Sequence, residues 1–533
     1  MLKPLAVLQL YPPHDYTLAG ALASRAQRDP ARDFLVAGGR TLSWGAFTER
    51  VDRAARMLAA LGIRHGDRVA IAARNGEPHV VLLFACARIG AILVPTNPDF
   101  GVEELKYVLG HSEAMAVFAS AEALPRVREA AAGMKPAPWF ALVGEEGAPS
   151  DVAHYDRLLE EAGTGPLPAA GKADDTCLIV YTSGTTGFPK GVMHSQRNFV
   201  TGGEAFVARM GVQPEERLLA VLPLFHINAL FYSLAGTLAA GACIILEPRF
   251  SASRFWPMAE ETGATLVNVI ESAGMILLSR PRSEYRPGHR IRKLYGARAS
   301  MVDGFRREFA VEQMVSGFGM TEIPGVTCQP VDGVQKPGSM GPIGRHPDPA
   351  RPWAECRIVD DEGRDLPDGE TGELWVKTPI IMQGYFRNPE ATREAFHDGW
   401  FKTGDLIKRD ADGYYFFVSR KKDIIRRRGE NIAGAELDRV IGEHPAVDEC
   451  AAIAVPSELG EDEILAVIVT REGQKLTAED VADWCRTRLA AHKVPRFVAF
   501  LSALPHTPTH KVAKNILRTD ATLKSRAVDL QPK

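Results

Sequence analysis

The residues with the most chemistry to offer lie in one stretch, Tyr181-Thr182-Ser183-Gly184-Thr185-Thr186-Gly187-Phe188-Pro189-Lys190-Gly191. It follows a short apolar run, Leu178 to Tyr181, that reads as a strand. Its glycines let the backbone turn tightly and aim N–H groups inward. Its Ser and Thr hydroxyls supply further donors, and Lys190 supplies a positive charge. Together these groups make a cradle for a polyphosphate. The order is not that of the G-x-x-x-x-G-K-[ST] loop, because the lysine follows Phe188-Pro189 and precedes Gly191.

Such a loop needs a scaffold, and the surrounding pattern supplies one. From Arg40 to about Ile380, strand-like and helix-like segments alternate. Phe47, Val51, Ala54, Leu58 and Leu61 recur at helical spacing, and Gly62 stops that helix. Val80 to Ile89 reads as a further helix. Apolar runs at 68–72, 92–95, 178–181, 218–222, 243–246 and 266–270 read as buried strands between helices. This is the pattern of an α/β fold whose sheets are covered by helices, long enough for two stacked subdomains. The character changes near Trp400. Gly413 leads a strand to Val418, followed by the charged junction Ser419-Arg420-Lys421-Lys422-Asp423. Beyond it lie a helix around 435–441, strands at 450–455 and 464–470, and a helix opened by the Thr477-x-x-Asp480 capping signature. The expected division is a large N-terminal α/β domain over 1–419 and a small, mobile α+β C-terminal lid over 420–533.

Composition narrows the class. At roughly 150 residues per domain, 533 residues correspond to about 3.6 domains, which excludes a single small module. The net charge of −3 lacks the basic footprint of a nucleic-acid binder. Seven scattered cysteines, with no Cys-x-x-Cys pair, point to reduced thiols and a cytoplasmic protein. The apolar run at 5–8 is broken too early by Gln9 and Tyr11-Pro12-Pro13 for a secretory leader. The longest apolar stretch, 80–94, carries Arg88 and falls short of a membrane span.

The loop resembles the signature of the adenylate-forming superfamily, which includes acyl-CoA synthetases, peptide-synthetase adenylation domains and luciferases. Further segments resemble that family's motifs in order along nearly the whole chain. They are Thr41-Leu42-Ser43-Trp44, Ala91-Ile92-Leu93-Val94-Pro95, Leu222-Pro223-Leu224-Phe225-His226 and Gly317-Phe318-Gly319-Met320-Thr321-Glu322. After them come Gly372-Glu373-Leu374, Gly384-Tyr385, Thr403-Gly404-Asp405, Arg420-Lys421-Lys422-Asp423 and the segment around Lys511. Read singly, several of these residues are unremarkable: a turn Asp405, junction charges at Arg420 and Lys422, a core Phe318 or His226, an exposed Glu322, a tail Lys511.

The resemblance implies attack of a carboxylate on the α-phosphate of ATP, giving an acyl-adenylate and pyrophosphate, after which the thiol of coenzyme A displaces AMP. It implies roles residue by residue. ATP and AMP would be held by Thr182, Ser183, Gly184, Thr185, Thr186, Gly187, Lys190, Gly296, Ala297, Ser316, Gly317, Phe318, Gly319, Met320, Thr321, Asp405, Arg420 and Lys511. Asp405 and Arg420 would meet the ribose, and Phe318 the adenine. Glu322 would hold Mg²⁺. Lys511, His226, Thr186 and Lys190 would be catalytic, Lys422 the hinge, and Gly429 and Arg496 contacts to CoA. Arg426-Arg427-Arg428, ordinarily a solvated face, precedes Gly429-Glu430-Asn431, which resembles the loop closing over pantetheine.

Ser419, Gly434 and His510 stand where the family more often has Gly, Pro and Gly. Arg298 could greet a second acid group on the substrate or simply face outward. Glu271 could favour a cationic substrate or start a helix, where the dipole favours an acid. The leading reading is an AMP-forming acyl-CoA ligase acting on a small carboxylic acid, with no nucleic-acid partner and no membrane span; a homo-oligomer is compatible with it. The alternatives are an adenylation enzyme that loads a separate carrier protein, and an inactive binding protein on the same fold. With so few residues after Lys511, a fused carrier segment is not expected.

Overall fold

The apolar runs become parallel strands because both faces of each are covered. The computed structural model describes residues 1–144, 152–167, 169–182, 189–427, 430–457, 462–506 and 512–530. They form two compact units. The first comprises Met1–Thr182, 189–355 and Lys377–Gly399; the second comprises Cys356–Val376 and 400–530.

The first unit holds two large sheets. One runs in the order Gly384–Tyr385, Lys190–Ser195, Thr176–Thr182, Ile92–Thr96, Arg68–Ala72, Ala114–Ser120, Trp139–Val143, Ala153–His154. It is parallel from Thr176–Thr182 onward, with the first two strands antiparallel at its edge. Alternation along its central strands divides the core: Val69, Ile71, Ala116 and Phe118 face one cluster, Ala70, Ala72, Val117 and Ala119 the other. The other sheet has the order Gln313–Val315, Lys293–Tyr295, Leu266–Asn268, Arg217–Ala220, Cys243–Leu246, Asp33–Ala37, Arg40–Ser43, parallel except for its last pair.

The helix expected over 47–61 spans Trp44–Ala60, N-capped by Ser43, whose hydroxyl accepts the Ala46 N–H. The helix expected from Val80 starts earlier, at Glu77, because Gly76 is extended as its N-cap and a proline fits its first turn. The strand expected over 218–222 ends at Ala220. Past it, the Leu222 carbonyl and the Leu224 N–H are captured by the Asn75 carboxamide, at 2.9 and 2.8 Å, instead of by a neighbouring strand.

In the second unit the strands Thr371–Lys377, Trp400–Arg409 and Tyr415–Arg420 pair antiparallel in that order. A separate sheet of Val447–Pro456, Asp462–Thr470, Phe497–Phe500 and Val528–Asp529 has helices on both faces. Ile464, Ala466 and Ile468 pack with Leu437, Ile441, Val481 and Cys485; Leu465 and Val467 pack with Leu517 and Leu523. The capping box at Thr477 and Asp480 is formed. All seven cysteines are free thiols. Among the described residues no helix is long and apolar enough to cross a membrane.

Candidate active site

The parallel strands of the first unit end in one row. Leu246, Ala220, Asn268, Tyr295 and Val315 are register partners in turn. The segments that leave this row include 221–227 with His226, 269–271, 296–298 and 316–318. Ligands of open α/β sheets bind outside this carboxyl edge. Gly296 has φ of +91° and lies so close to the Val269 carbonyl that a Cβ would clash with it. Its N–H and that of Ala297 donate to the Val315 carbonyl at 2.9 and 3.2 Å. His226 is half-buried beside Phe225 and leads into the π-helix Asn228–Leu234. Arg298 is exposed at the N-cap of the helix Ala299–Phe309. Glu271 opens the helix Glu271–Ser279 and accepts the Ser300 hydroxyl at 2.6 Å.

The strands Gly317–Met320 and Ile323–Cys328 form an antiparallel hairpin, and Thr321-Glu322 is its two-residue tip. Gly319 must be glycine here, since a Cβ would run into the Gly325 amide and sit 2.6 Å from the Tyr232 hydroxyl. Phe318 is buried opposite Thr327, and the Ser316 hydroxyl donates to the Ser339 carbonyl at 3.3 Å. Three contacts pin the tip. His194 Nε2 donates to the Thr321 carbonyl at 2.7 Å, Met382 N–H donates to the Glu322 carbonyl at 2.8 Å, and the Tyr385 hydroxyl donates to Glu322 Oε1 at 2.9 Å. A carbonyl only accepts, so His194 carries its proton on Nε2. Its full burial pushes its pKa down to about 4, which keeps the ring neutral. The sequence does not single out His194, and it marks Tyr385 only within the Gly384-Tyr385 motif, with no role attached.

Glu322 offers a hard oxygen to a cation. Among the described residues there is no cluster of three or more His, Cys, Asp or Glu side chains able to hold a metal. A divalent ion at Glu322 would therefore complete its shell with phosphate oxygens and water, which is how Mg²⁺ is held with nucleotides. The donor fits that ion. Thr182 and Lys190 are cross-strand partners, with the Thr182 hydroxyl donating to the Lys190 carbonyl at 3.4 Å. Ser183, Gly184, Thr185, Thr186 and Gly187, which join those strands, lie outside the described residues, as do Gly429, His510 and Lys511.

In the second unit a hairpin sets Asp405 directly opposite Arg420. Arg420 Nε lies 2.6 Å from Asp405 Oδ1, and Asp405 is fully buried. The Gly372-Glu373-Leu374 motif holds this turn in place. Glu373 Oε1 accepts the Gly404 N–H at 3.1 Å, and the Leu374 carbonyl accepts the Thr403 hydroxyl at 2.8 Å. Glu373 Oε2 also receives the Lys421 ammonium at 3.1 Å. Lys422 is exposed in the short 3-10 turn that follows. Ser419 is buried, and Gly434 opens the helix Gly434–Gly442 at 3.0 Å (for a Cβ) from the Asp423 carbonyl.

One basic residue differs from the sequence reading. Arg427 is not part of a solvated face. It is buried, lies 2.6 Å from Glu463, and donates to the carbonyls of His492 and Val494. Arg426 remains exposed. Arg496 is held by both carboxylate oxygens of Asp529, each at 3.0 Å, so a phosphate at that guanidinium would have to displace Asp529.

Comparison with known proteins shows which class of enzyme this fold belongs to. The profile of the AMP-binding enzyme family matches residues 22–386, and that of the AMP-binding enzyme C-terminal domain matches 436–511. The chain belongs to this family and is an acyl-CoA synthetase. It is 34% identical to the sulfoacetate–CoA ligase of Cupriavidus necator, over 93% of this chain and 96% of that one. It is 32% identical to the oxalate–CoA ligase of Arabidopsis thaliana, over 94% and 98%. The crystal structure of ATP-bound MatB from Rhodopseudomonas palustris superposes with a TM-score of 0.83 at 28% identity, over 94% and 98%.

Proposed function

We propose that this protein joins a small carboxylic acid to coenzyme A in two steps. The acid's carboxylate oxygen attacks the α-phosphorus of ATP, and pyrophosphate leaves. The CoA sulfur then attacks the acyl carbon, AMP leaves, and the thiol proton passes to solvent. The observation that carries this reading is the single carboxyl edge that collects the His226 segment, Gly296-Ala297 and the 316–322 hairpin. Both partners of the first step are anionic, so charge must be neutralised and the attack held in line. Lys190 and the loop from Thr182 to Gly187 hold the phosphates, and Thr321 holds the α-phosphate. Glu322 holds Mg²⁺, which when bound screens the phosphate oxygens. Asp405 accepts from the ribose hydroxyls beside Arg420. Lys511 bridges the attacking carboxylate and the α-phosphate, and His226 borders the acid. The segment 420–533 acts as the lid, with Lys422 as its hinge, and the free thiols suit a reducing, cytoplasmic compartment.

The test is incubation with ATP, Mg²⁺, CoA and a panel of acids, with products read by mass spectrometry. The panel spans sulfoacetate, oxalate, other dicarboxylic acids, and medium-chain, aromatic and betaine-type acids. An acyl-CoA with matching AMP supports the proposal and identifies the acid. Acyl-AMP without acyl-CoA points instead to a carrier-protein acceptor, and no adenylate from any acid counts against the reading.

A further inference from the structure

Tyr385 lies 63 residues from Glu322 in sequence, yet their side chains meet. The strand Gly384–Tyr385 pairs antiparallel with Lys190–Ser195, placing Tyr385 opposite Val192. This register carries the ring under the Lys190 side chain, whose Nζ lies 4.7 Å from the ring centroid. The same side chain donates its hydroxyl to Glu322 Oε1 at 2.9 Å. Tyr385 and Glu322 are each 7% exposed. Glu322 Oε2 has no hydrogen-bond or ion-pair partner among the described residues.

One ring thus touches both the cation and the carboxylate that the phosphates of ATP require. A carboxylate with one oxygen tied by a phenol has a fixed plane and one oxygen left for a ligand. Partners of this kind orient metal-binding groups, and losing one weakens metal affinity about 10–100-fold. The ring face also attracts an ammonium. We infer that Tyr385 is a positioning residue: its hydroxyl fixes Glu322 to receive the divalent ion carried by ATP, while its ring holds Lys190 at the phosphates. This rests on the proposed nucleotide role of Glu322 and Lys190.

The experiment uses the full-length protein and the variants Tyr385→Phe, Tyr385→Leu and Glu322→Gln. Mn²⁺ binding in the presence of ATP is measured by electron paramagnetic resonance, and the Mg²⁺ dependence of ATP–pyrophosphate exchange is measured alongside. Tyr385→Phe, which keeps the ring, is expected to weaken Mn²⁺ binding about 10-fold. Its exchange rate should recover in excess Mg²⁺, a rescue that a merely structural lesion would not show. Tyr385→Leu should in addition raise the KM for ATP, because Lys190 loses its ring. Wild-type Mn²⁺ affinity in Tyr385→Phe, with loss of affinity in Glu322→Gln, would overturn the role of Tyr385 and leave the proposed function standing. Unchanged Mn²⁺ affinity in Glu322→Gln would overturn both the inference and the assignment of Glu322 beneath it.

Discussion

Glu373→Ala tests whether the Gly372-Glu373-Leu374 motif serves the turn proposed to meet the ribose. Glu373 is 7% exposed, and its carboxylate accepts the Gly404 N–H at 3.1 Å. A buried hydrogen bond to a charged acceptor contributes about 1.5–3 kcal/mol. The second contact, to Lys421, is weaker: that side chain is 42% exposed and keeps Asp361 at 2.9 Å, so its loss costs no more than about 1 kcal/mol. The expected destabilisation is about 2–4 kcal/mol. In a unit of this size that lowers the unfolding midpoint by on the order of 5–10 °C, read by calorimetry. Gly404 precedes Asp405, so relaxing the turn should also raise the KM for ATP about 10-fold, equivalent to roughly 1.4 kcal/mol. Glu373→Gln is the control, because its amide oxygen still accepts from Gly404. It should retain most of the stability and ATP affinity. A midpoint for Glu373→Ala within 1 °C of wild type, a bound roughly at the resolution of the method, would refute the energetic argument. A lower midpoint with an unchanged KM would refute the link between the motif and ATP.

Acid should weaken the first unit. Burial pushes His194 down to about 4 and His79 to about 3, against a usual value near 6.5. Their contribution is therefore present above pH 6.5 and lost as pH falls toward those values. At pH 5 each costs about 2 kcal/mol relative to pH 7.5. Unfolding midpoints of His194→Gln across that range should show a clearly shallower pH dependence; an identical slope would contradict the assignment. Thr477→Ala removes the hydroxyl that accepts the Asp480 N–H and should cost about 1 kcal/mol in denaturant unfolding, with both half-reactions unchanged. Lys511→Ala should slow adenylation roughly 10²–10³-fold in pyrophosphate exchange, the usual cost of one donor at a developing charge. Thioester formation from synthetic acyl-AMP should fall much less, and equal loss in both steps would count against its role.

Whatever depends on near neighbours could be read from residue order. Buried parallel strands need apolar side chains on both faces, so Arg68–Ala72 and Cys243–Leu246 stand out as continuous runs with the observed bounds. The Thr477 capping box is complete within four residues, so its pattern and its geometry coincide. The ends of strands were harder to place. The strand from Arg217 stops at Ala220 because Asn75, 147 residues away from Leu222, takes over the backbone hydrogen bonding.

The sequence by itself determined which chemical groups this protein carries: a hydroxyl- and glycine-rich loop with Lys190, an acid at Glu322, an Asp at 405 and an Arg at 420. Residue type settles what a side chain can donate, accept or neutralise. Tertiary structure alone decided who meets whom. Arg427 sits in a run that ordinarily reads as a solvated face until the fold supplies Glu463 as its partner, and only the fold sets Asp529 beside Arg496. Likewise, strand register sets Asp405 against Arg420 and Tyr385 over Lys190, and packing brings His194 to Thr321 across 127 residues. Local propensity is blind to such pairs because their free energy comes from burial and register, which exist only once distant strands lie side by side.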